Sequence, residues 1–595
     1  MDTSVSIPAI YLLTGSNASG AGAMQWHYID WGKVTQTVKT LQIRLSKAVA
    51  AKKWQKVKRL QWLITHNFAA KLLAVKRVTE NKGKRTAGID GQTFKTAGEK
   101  RKAVFKLRLK GYKPKTVRRI YIPKSNGKKR PLGIPTMHDR AMQSLYLQGL
   151  DPVSETTADA NSYGFRPHRS CADAIARCHD RLSRKKGPQW ILEGDIKGCF
   201  DNISHDWILK HIPLSKKPLE QWLKSGFIDK RKLFPTTSGT PQGSIISPTL
   251  ANMVLDGLEA HIDEACGIKK TSNKLGRINP KQIHFIRYAD DFIVTCSEKD
   301  YLSETVLPAI QTFLEPRGLE LSADKTHITH IEQGFDFLGQ NIRKYLKTSR
   351  GHRRAKLLIM PSKKNIKTFL DKVQIAVKRQ GSARTLTLIE TLTPKIRGWA
   401  MYHRHVVAKR IFAQVDHRIF GMTWRWAKRR HSARRSHKRW IKKRYYTRIK
   451  HRDWLFFDTD EQTKKKVILF QASDIPIIRH TKIRSKANPY DIADEPYFEM
   501  RTQRKLLAKL EGRRLLQTIF KRQDGRCAYC AELIELKTGW HFHHIVQRIH
   551  GGKETDDNLV VLHPNCHTSV HLNKFSFSMV LPRPPNSNQS DVLSV

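Results

Sequence analysis

The sequence predicts a multidomain α+β protein, and three observations carry that expectation. Its 595 residues are 39% apolar, enough for real cores, and at roughly 150 residues per domain the length favours several of them. The pattern then changes along the chain, from basic helical spacing to short β-rich runs mixed with helices, and back to helices. Finally, Cys, His and Gly crowd together at short spacings near the end, the composition of a metal-binding unit.

In order, residues 1–30 are Gly/Ser/Ala-rich and read as a loose tail. From Trp31 to about Thr79, apolar residues at helical spacing (Val38, Leu41, Leu45, Val49) lie among Lys and Arg and predict basic amphipathic helices. Gly88 to about Gly339 mixes strands and helices. Lys344 to Lys450 is helical and very basic, 455–500 reads as a connector, and 501–575 opens on a charged helix before the Cys/His stretch.

Charge narrows the partners. Lys plus Arg is 110 against 51 acids, a net +59, and the pI is near 10.3. Such self-repulsion opposes a compact state unless a polyanion neutralises it, and charge spread over this length points to nucleic acid. No stretch approaches the ~18 uninterrupted apolar residues of a membrane span. The N-terminus lacks a basic region, with no Arg before Arg44, so it reads as neither secretory signal nor presequence. Eight cysteines are too sparse for a disulfide scaffold, and a reducing cytosol fits.

The chemistry begins at Ile286–Val294, IRYADDFIV, where Asp290 and Asp291 sit between apolar β-formers. This reads as a hairpin with an acidic turn, and paired carboxylates invite a divalent cation. Upstream, WILEGDIKGCFDNISH (Trp190–His205) puts Asp195 at the end of a buried strand. Carboxylates converging from separate strands are what two-metal phosphoryl transfer needs.

These motifs resemble those of group II intron-encoded reverse transcriptases, in the family's order. YIPKSNGKKRPLGIPT (Tyr121–Thr136), SYGFRPHRS (Ser162–Ser170), the Asp195 block, GTPQGSIISPTLAN (Gly239–Asn252), the YADD block, LSADKT (Leu321–Thr326) and GFDFLG (Gly334–Gly339) follow one another. The resemblance implies right-hand polymerase fingers and palm over 31–340. It makes Asp195, the Ile196 carbonyl, Asp290 and Asp291 the Mg2+ ligands. Lys124 and Arg130 would grip the dNTP triphosphate, Phe200 would crowd a ribose 2′-hydroxyl, and Gln242 would lie beside the nascent base pair. Lys325 would be the general acid for pyrophosphate. LIETLTPKIRGWAMYHRH (Leu388–His405) resembles the helical thumb, maturase domain X, here 341–420, through Arg397, Gly398, Trp399 and Tyr402, and the resemblance makes Arg397 and Trp399 nucleic-acid-binding residues.

The stretch 424–452 carries fourteen Lys/Arg in 29 positions and no acid, with Trp424, Trp426, Trp440, Tyr445 and Tyr446 interleaved. It reads as the heart of a nucleic-acid-binding segment over 421–500: Arg429, Arg430, Arg434, Arg435, Lys438 and Arg439 would take phosphates while the aromatics stack on unpaired bases. In the family it resembles the DNA-binding region.

Seven of the 26 His lie between His541 and His571. Cys527-x-x-Cys530 with His563-x-x-Cys566 suits a structural Zn2+, although His563 stands where Cys is usual. The other histidines resemble an HNH endonuclease, a ββα-metal fold over 501–580 with a short tail at 581–595. By that similarity His543, His567 and His571 hold Mg2+ or another divalent cation, His544 is the general base and Asn558 orients it.

Together the parts resemble a bacterial group II intron-encoded protein. The implied partners are its intron RNA, a double-stranded DNA target and dNTPs. No membrane is implied, and a homodimer is compatible. The implied setting is the bacterial cytoplasm, acting at the nucleoid. Two rivals remain: an intron-free reverse transcriptase, and a splicing cofactor with vestigial catalytic sites.

Overall fold

The computed structural model describes residues 26–572 except 27–28, 82, 124–126, 128, 230–231, 271–276, 350–351, 432–437, 450, 462–463, 510–513, 536–538 and 547–554. Three helices open it: α1 (Trp31–Ala50), α2 (Trp54–His66) and α3 (Phe68–Glu80). Asp30 caps α1 by accepting from Lys33 N, and Asn67 caps α3 by accepting from Ala70 N. Within the stretch expected to be a tail, Trp26 and Ile29 are buried in the same core, their burial outweighing a Gly-rich context. Residues 1–25 and 573–595 lie outside the described residues.

A hairpin of β1 (Val117–Pro123) and β2 (Lys129–Ile134) is extended by short strands Phe227–Asp229 and Lys232–Phe234 into a four-stranded sheet. Behind it runs α4 (Met137–Thr157), buried along most of its length against α1, α2 and α3. After α5 (Cys171–Leu182) comes β3 (Trp190–Asp195), then α6 (Ser247–Leu255), β4 (His284–Tyr288), β5 (Asp291–Cys296) and β6 (His327–His330). These strands form an antiparallel sheet in the order β6-β3-β5-β4. Neighbouring residues face opposite sides. Leu192, Phe285, Phe292 and Val294 enter the core shared with α1–α4, while Ile191, Ile286 and Ile293 enter a second core. Both faces are covered, so the strands read as apolar runs rather than alternating ones.

The second core gathers a three-stranded sheet (Phe335–Phe337, Gln340–Ser349, His352–Pro361) and three helices, α7 (Lys363–Arg379), α8 (Thr385–His403) and α9 (Lys409–Arg429). Helix α9 runs straight across the boundary expected at 420/421. Then α10 (Lys438–Tyr445) leads to the strands β7 (Tyr446–Ile449), β8 (Arg452–Thr459) and β9 (Lys466–Ile468). Within the expected connector, Ile475, Ile483, Ala487 and Phe498 belong to the second core.

The C-terminal unit comprises α11 (Glu495–Lys509), α12 (Arg514–Arg522), β10 (His541–His544), β11 (Leu559–Leu562) and α13 (Pro564–Leu572), with its own small core. It rests against the N-terminal helices: Asn565 donates to Glu80, and Lys39 pairs with Glu495. No helix among the described residues is long and apolar enough to cross a membrane.

One buried carboxylate ties the 475–501 segment down. Asp173 on α5 accepts from His480 Nε2 at 2.8 Å, from Ile483 N at 2.8 Å and from Arg501. Burial opposes its ionisation, but the His480 hydrogen bond and the His480 and Arg501 charges outweigh it and hold the carboxyl below the usual range. A depressed carboxyl stabilises above its unfolded value of about 3.9, and that stability is lost as pH falls through the folded value. Replacing Asp173 by Asn should therefore cost about 3–5 kcal/mol by leaving Arg501 buried without its counter-charge. Hydrogen exchange across 475–501 should accelerate in this variant at pH 7; unchanged protection would contradict the tie.

Candidate active sites and nucleic-acid interface

The sheet register builds the first site. Asp195, the last residue of β3, pairs directly with Asp291, the first of β5, so both side chains leave the same face. Tyr288 pairs with the same Asp291 from β4, which leaves Ala289 and Asp290 as the turn, with Ala289 at φ +60°. Gly194 is required beside them, since a Cβ there would come 2.2 Å from the Phe292 ring.

Three acids share this small space. Loss of hydration in the cleft, then repulsion from Asp290 and Asp195, push the Asp291 carboxyl up to about 7, and burial raises Asp290 as well. Lys325 Nζ donates to Asp195 Oδ2 at 2.5 Å, and this hydrogen bond raises the lysine's own pKa. Arg130 on exposed β2 faces the cluster closely enough for its charge to favour ionised Asp290. Three hard oxygen donors on a rigid sheet fit a divalent cation. The Ile196 side chain is core, 2% exposed, so only its backbone could join them.

The other motif residues are held by neighbouring loops. The Gln242 carbonyl accepts from Gly133 N at 2.7 Å, joining its loop to β2. Thr240 N donates to the Phe200 carbonyl at 2.6 Å, and the Phe200 ring meets Phe165 edge-on at 6.1 Å. Gly239, at φ +79°, lies so close to Asp201 that a Cβ would sit 2.5 Å from its carbonyl oxygen. Lys124 lies outside the described residues.

The C-terminal unit holds two ligand clusters, in each of which all the ligand atoms lie within 4.8 Å of one another: Cys527, Cys530, His563 and Cys566, and His543, His567 and His571. In the first, His563 Nδ1 is 3.4 Å from Cys530 Sγ and 4.0 Å from Cys566 Sγ. A tetrahedral metal with bonds of about 2.1–2.3 Å has edges of roughly 3.5–3.8 Å, so the fit is good. His563 Nε2 lies 3.2 Å from the Leu533 carbonyl, to which it can only donate, and this turns Nδ1 toward the sulfurs. Burial alone would lower His563, but hydrogen bonds to Cys527 and Cys530 push it up to about 10, while bonding to Cys530 and Cys566 holds Cys527 low. A cation would take over this proton sharing.

The second cluster spans β10 and α13. His567 and His571 are one turn apart on α13, and their rings lie 5.4 and 4.9 Å from that of His543. Burial, then repulsion among the histidines, holds His543 down at about 4, which leaves it neutral with a lone pair to offer. His544 follows on β10, opposite Leu559. The Asn558 amide brackets the Val546 backbone, accepting from its N at 2.7 Å and donating to its O at 3.1 Å, and so fixes the loop leaving His544.

The basic stretch differs from expectation. Trp426, Tyr445 and Tyr446 are core residues at 4%, 4% and 5% exposure, packed with Trp424, Trp454 and Phe456. Large rings gain more from burial beneath the cations than from exposure, and only Trp440 stays at the surface. Trp399 is likewise committed: it stacks on Phe369 at 4.6 Å and donates to Asn365 Oδ1. Arg397 is exposed, over Phe470. Arg430 lies over Trp426 and donates to the Gly381 and Ala383 carbonyls. Together with Lys378, Arg425 and Arg429 it lines a cleft of about 560 Å³ without an acid. Lys438 and Arg439 are exposed on α10, and Arg434 and Arg435 lie outside the described residues.

Two measurements check these sites. The purified chain should carry one tightly held metal ion that Cys530→Ser loses and His571→Ala keeps; retention by both would contradict the Cys/His site. At the acidic cluster, Mg2+ must displace the Asp291 proton below about pH 7. Its binding, by titration calorimetry against an Asp290→Ala blank, should weaken as pH falls through 7 and release about one proton near pH 6. A flat profile would contradict the mutual repulsion.

Comparison with known proteins matches four stretches. Residues 26–107 match the N-terminal domain of reverse transcriptase, and 122–342 the reverse transcriptase (RNA-dependent DNA polymerase) family. Residues 366–446 match the group II intron maturase-specific domain, and 527–572 the HNH endonuclease family. The group II intron-encoded protein LtrA of Lactococcus lactis subsp. cremoris is 30% identical over 377 residues, 52% of this chain and 62% of LtrA. The chain thus spans less than two thirds of LtrA. Protein YkfC of Escherichia coli (strain K12) is 32% identical over 339 residues, 51% of this chain and 88% of YkfC. A putative COX1/OXI3 intron 2 protein of Saccharomyces cerevisiae is 27% identical over 280 residues, 39% of this chain and 32% of that one. With these matches in the order of its sites, the chain belongs to the group II intron-encoded reverse transcriptase and maturase family and carries an HNH domain behind the maturase domain.

Proposed function

We propose that the chain is an RNA-directed DNA polymerase and maturase that binds its group II intron RNA and promotes splicing. It then mobilises the intron by second-strand nicking and target-primed reverse transcription. The observation that carries the polymerase reading is the register that opposes Asp195 and Asp291 beside Asp290, Lys325 and Arg130. In this reading the β1–β2 sheet acts as fingers, the central sheet as palm and α7–α9 as thumb. Lys124 and Arg130 hold the dNTP triphosphate, Gln242 supports the nascent pair and Phe200 excludes the 2′-hydroxyl.

Mg2+ held by Asp195, the Ile196 carbonyl, Asp290 and Asp291 would supply positive charge to the primer 3′-oxygen and the departing pyrophosphate. Lys325 protonates the leaving group. In the C-terminal unit His544 takes a proton from the attacking water while the Asn558-bracketed loop steadies it. His543, His567 and His571 would hold a divalent cation against the scissile phosphate. Three thiolates and an imidazole select Zn2+ at the other cluster, where its work is structural. Exposed cations around the α7–α9 cleft and on α10 take phosphates of the intron RNA and of a double-stranded DNA target. The DNA substrate sets the work in the bacterial cytoplasm, at the nucleoid.

Separable variants test the assignment. On poly(A)/oligo(dT) with dTTP, Asp290→Ala should lower primer extension by roughly 10²–10³-fold or more while second-strand nicking persists. His544→Ala should lower nicking by about 10²–10⁴-fold and leave extension and splicing intact. Extension by the wild type no better than by Asp290→Ala, or loss of all activities in His544→Ala, would overturn the reading.

A further inference from the structure

Beneath the acidic turn lies a cation that the chemistry above does not use. Arg287 is two residues before Ala289, inside the central sheet, and 0% exposed. A guanidinium there is costly unless its donors are met. Arg287 Nη2 donates to Asp256 Oδ1 at 2.5 Å, and Nη1 reaches Asn252 Oδ1 at 3.3 Å and the Ala289 carbonyl at 3.4 Å. Its backbone is gripped too, with Arg287 N donating to Asn161 O at 3.0 Å and Tyr163 N donating to Arg287 O at 2.9 Å.

The other side of the turn is held by the same hub. Ala289 takes a left-handed φ of +60° that side chains bearing a Cβ rarely adopt. Gly164 packs against its amide, so that a Cβ on Gly164 would come 2.3 Å from Ala289 N. Asn252 Nδ2 donates to the Gly164 carbonyl at 2.8 Å while its Oδ1 accepts from Arg287. One amide on α6 thus joins the two groups that clamp the turn. Helix α6 itself continues from the Gln242 loop. Around the hub, Asp159 accepts from Gly257 N at 3.0 Å, and Glu259 Oε1 accepts from Asn161 Nδ2 at 2.6 Å.

We infer that Arg287, with Asn252, is a positioning residue that fixes the Ala289–Asp290 turn so that Asp290 and Asp291 present their carboxylates to the cations. The inference rests on the polymerase reading above. A misplacement of about 1 Å at such a site costs roughly 10²-fold in rate. Positioning through the carboxylates acts on cation binding and turnover, and leaves contacts to the nucleotide alone.

The test measures kcat, the KM for dTTP and half-saturating Mg2+ on poly(A)/oligo(dT), with the full chain. Arg287→Met should lower kcat by about 10–10²-fold and raise half-saturating Mg2+ several-fold. The KM for dTTP should stay within about twofold. Arg287→Lys should fall between, since an ammonium keeps the charge for Asp256 but cannot fork to Asn252 and Ala289. Asn252→Ala, which leaves the buried ion pair intact, should shift kcat and Mg2+ the same way and covers the case in which Arg287→Met fails to fold. A folded Arg287→Met or Asn252→Ala enzyme with wild-type kcat and Mg2+ dependence overturns the inference alone, as does a rise confined to the KM for dTTP. Wild-type extension no better than that of Asp290→Ala overturns the polymerase reading, and the inference with it.

Discussion

The constraint on which the structure depends is the forced approach of like charges. Hydrogen-bond register sets Asp195 opposite Asp291, and the two-residue turn adds Asp290. Neither strand can slip by one residue, because that would move Ile191, Ile286 and Ile293 into the wrong core. The acids therefore cannot separate to relieve their repulsion. They are left with protons, with the Lys325 ammonium, or with cations. A divalent cation neutralises most and demands no change in the sheet.

The surrounding layers keep that sheet stiff. It is covered on one side by the N-terminal helices and α4, and on the other by α7–α9 and the segment ending near Phe498. Several charges inside these layers are paired. Arg166 grips Glu155 with two bonds of 2.9 Å, and Asp173 collects donors from a segment three hundred residues away. Such groups tie distant stretches together by being too costly to leave unmatched. The histidine-rich unit joins the same body through Glu80 and Lys39 on the N-terminal helices.

The groupings of both candidate sites are legible in the sequence because their residue types and spacings follow a chemical pattern. An Asp pair between apolar β-formers has few other uses, and Cys-x-x-Cys with His-x-x-Cys and two histidines one helical turn apart sorted into the two clusters that the fold forms. Only the aromatics of the basic segment depart from expectation, and for a physical reason. Trp424, Trp426, Tyr445 and Tyr446 alternate with Lys and Arg, and in one dimension a ring beneath a cation looks like a ring beside it. The packing of the 455–500 stretch is not legible in the sequence, because its few apolar anchors, Ile475, Ile483 and Phe498, are too widely spaced to show a period. Trp399, expected to contact nucleic acid, has its ring stacked on Phe369 instead, a partner thirty residues away that no local spacing reveals. Arg287 and Asn252 were passed over inside quoted motifs, although a charge embedded in an apolar strand is itself a sign of a buried partner.

The most direct measurement of the central claim is a structure of the full chain with a template–primer, a non-hydrolysable dNTP and Mg2+. The account predicts cation density bridging Asp195, Asp290 and Asp291, with Lys325 withdrawn from Asp195 toward the terminal phosphates. A ternary complex with the nucleotide bound, no cation among these carboxylates and Lys325 still on Asp195 would contradict it.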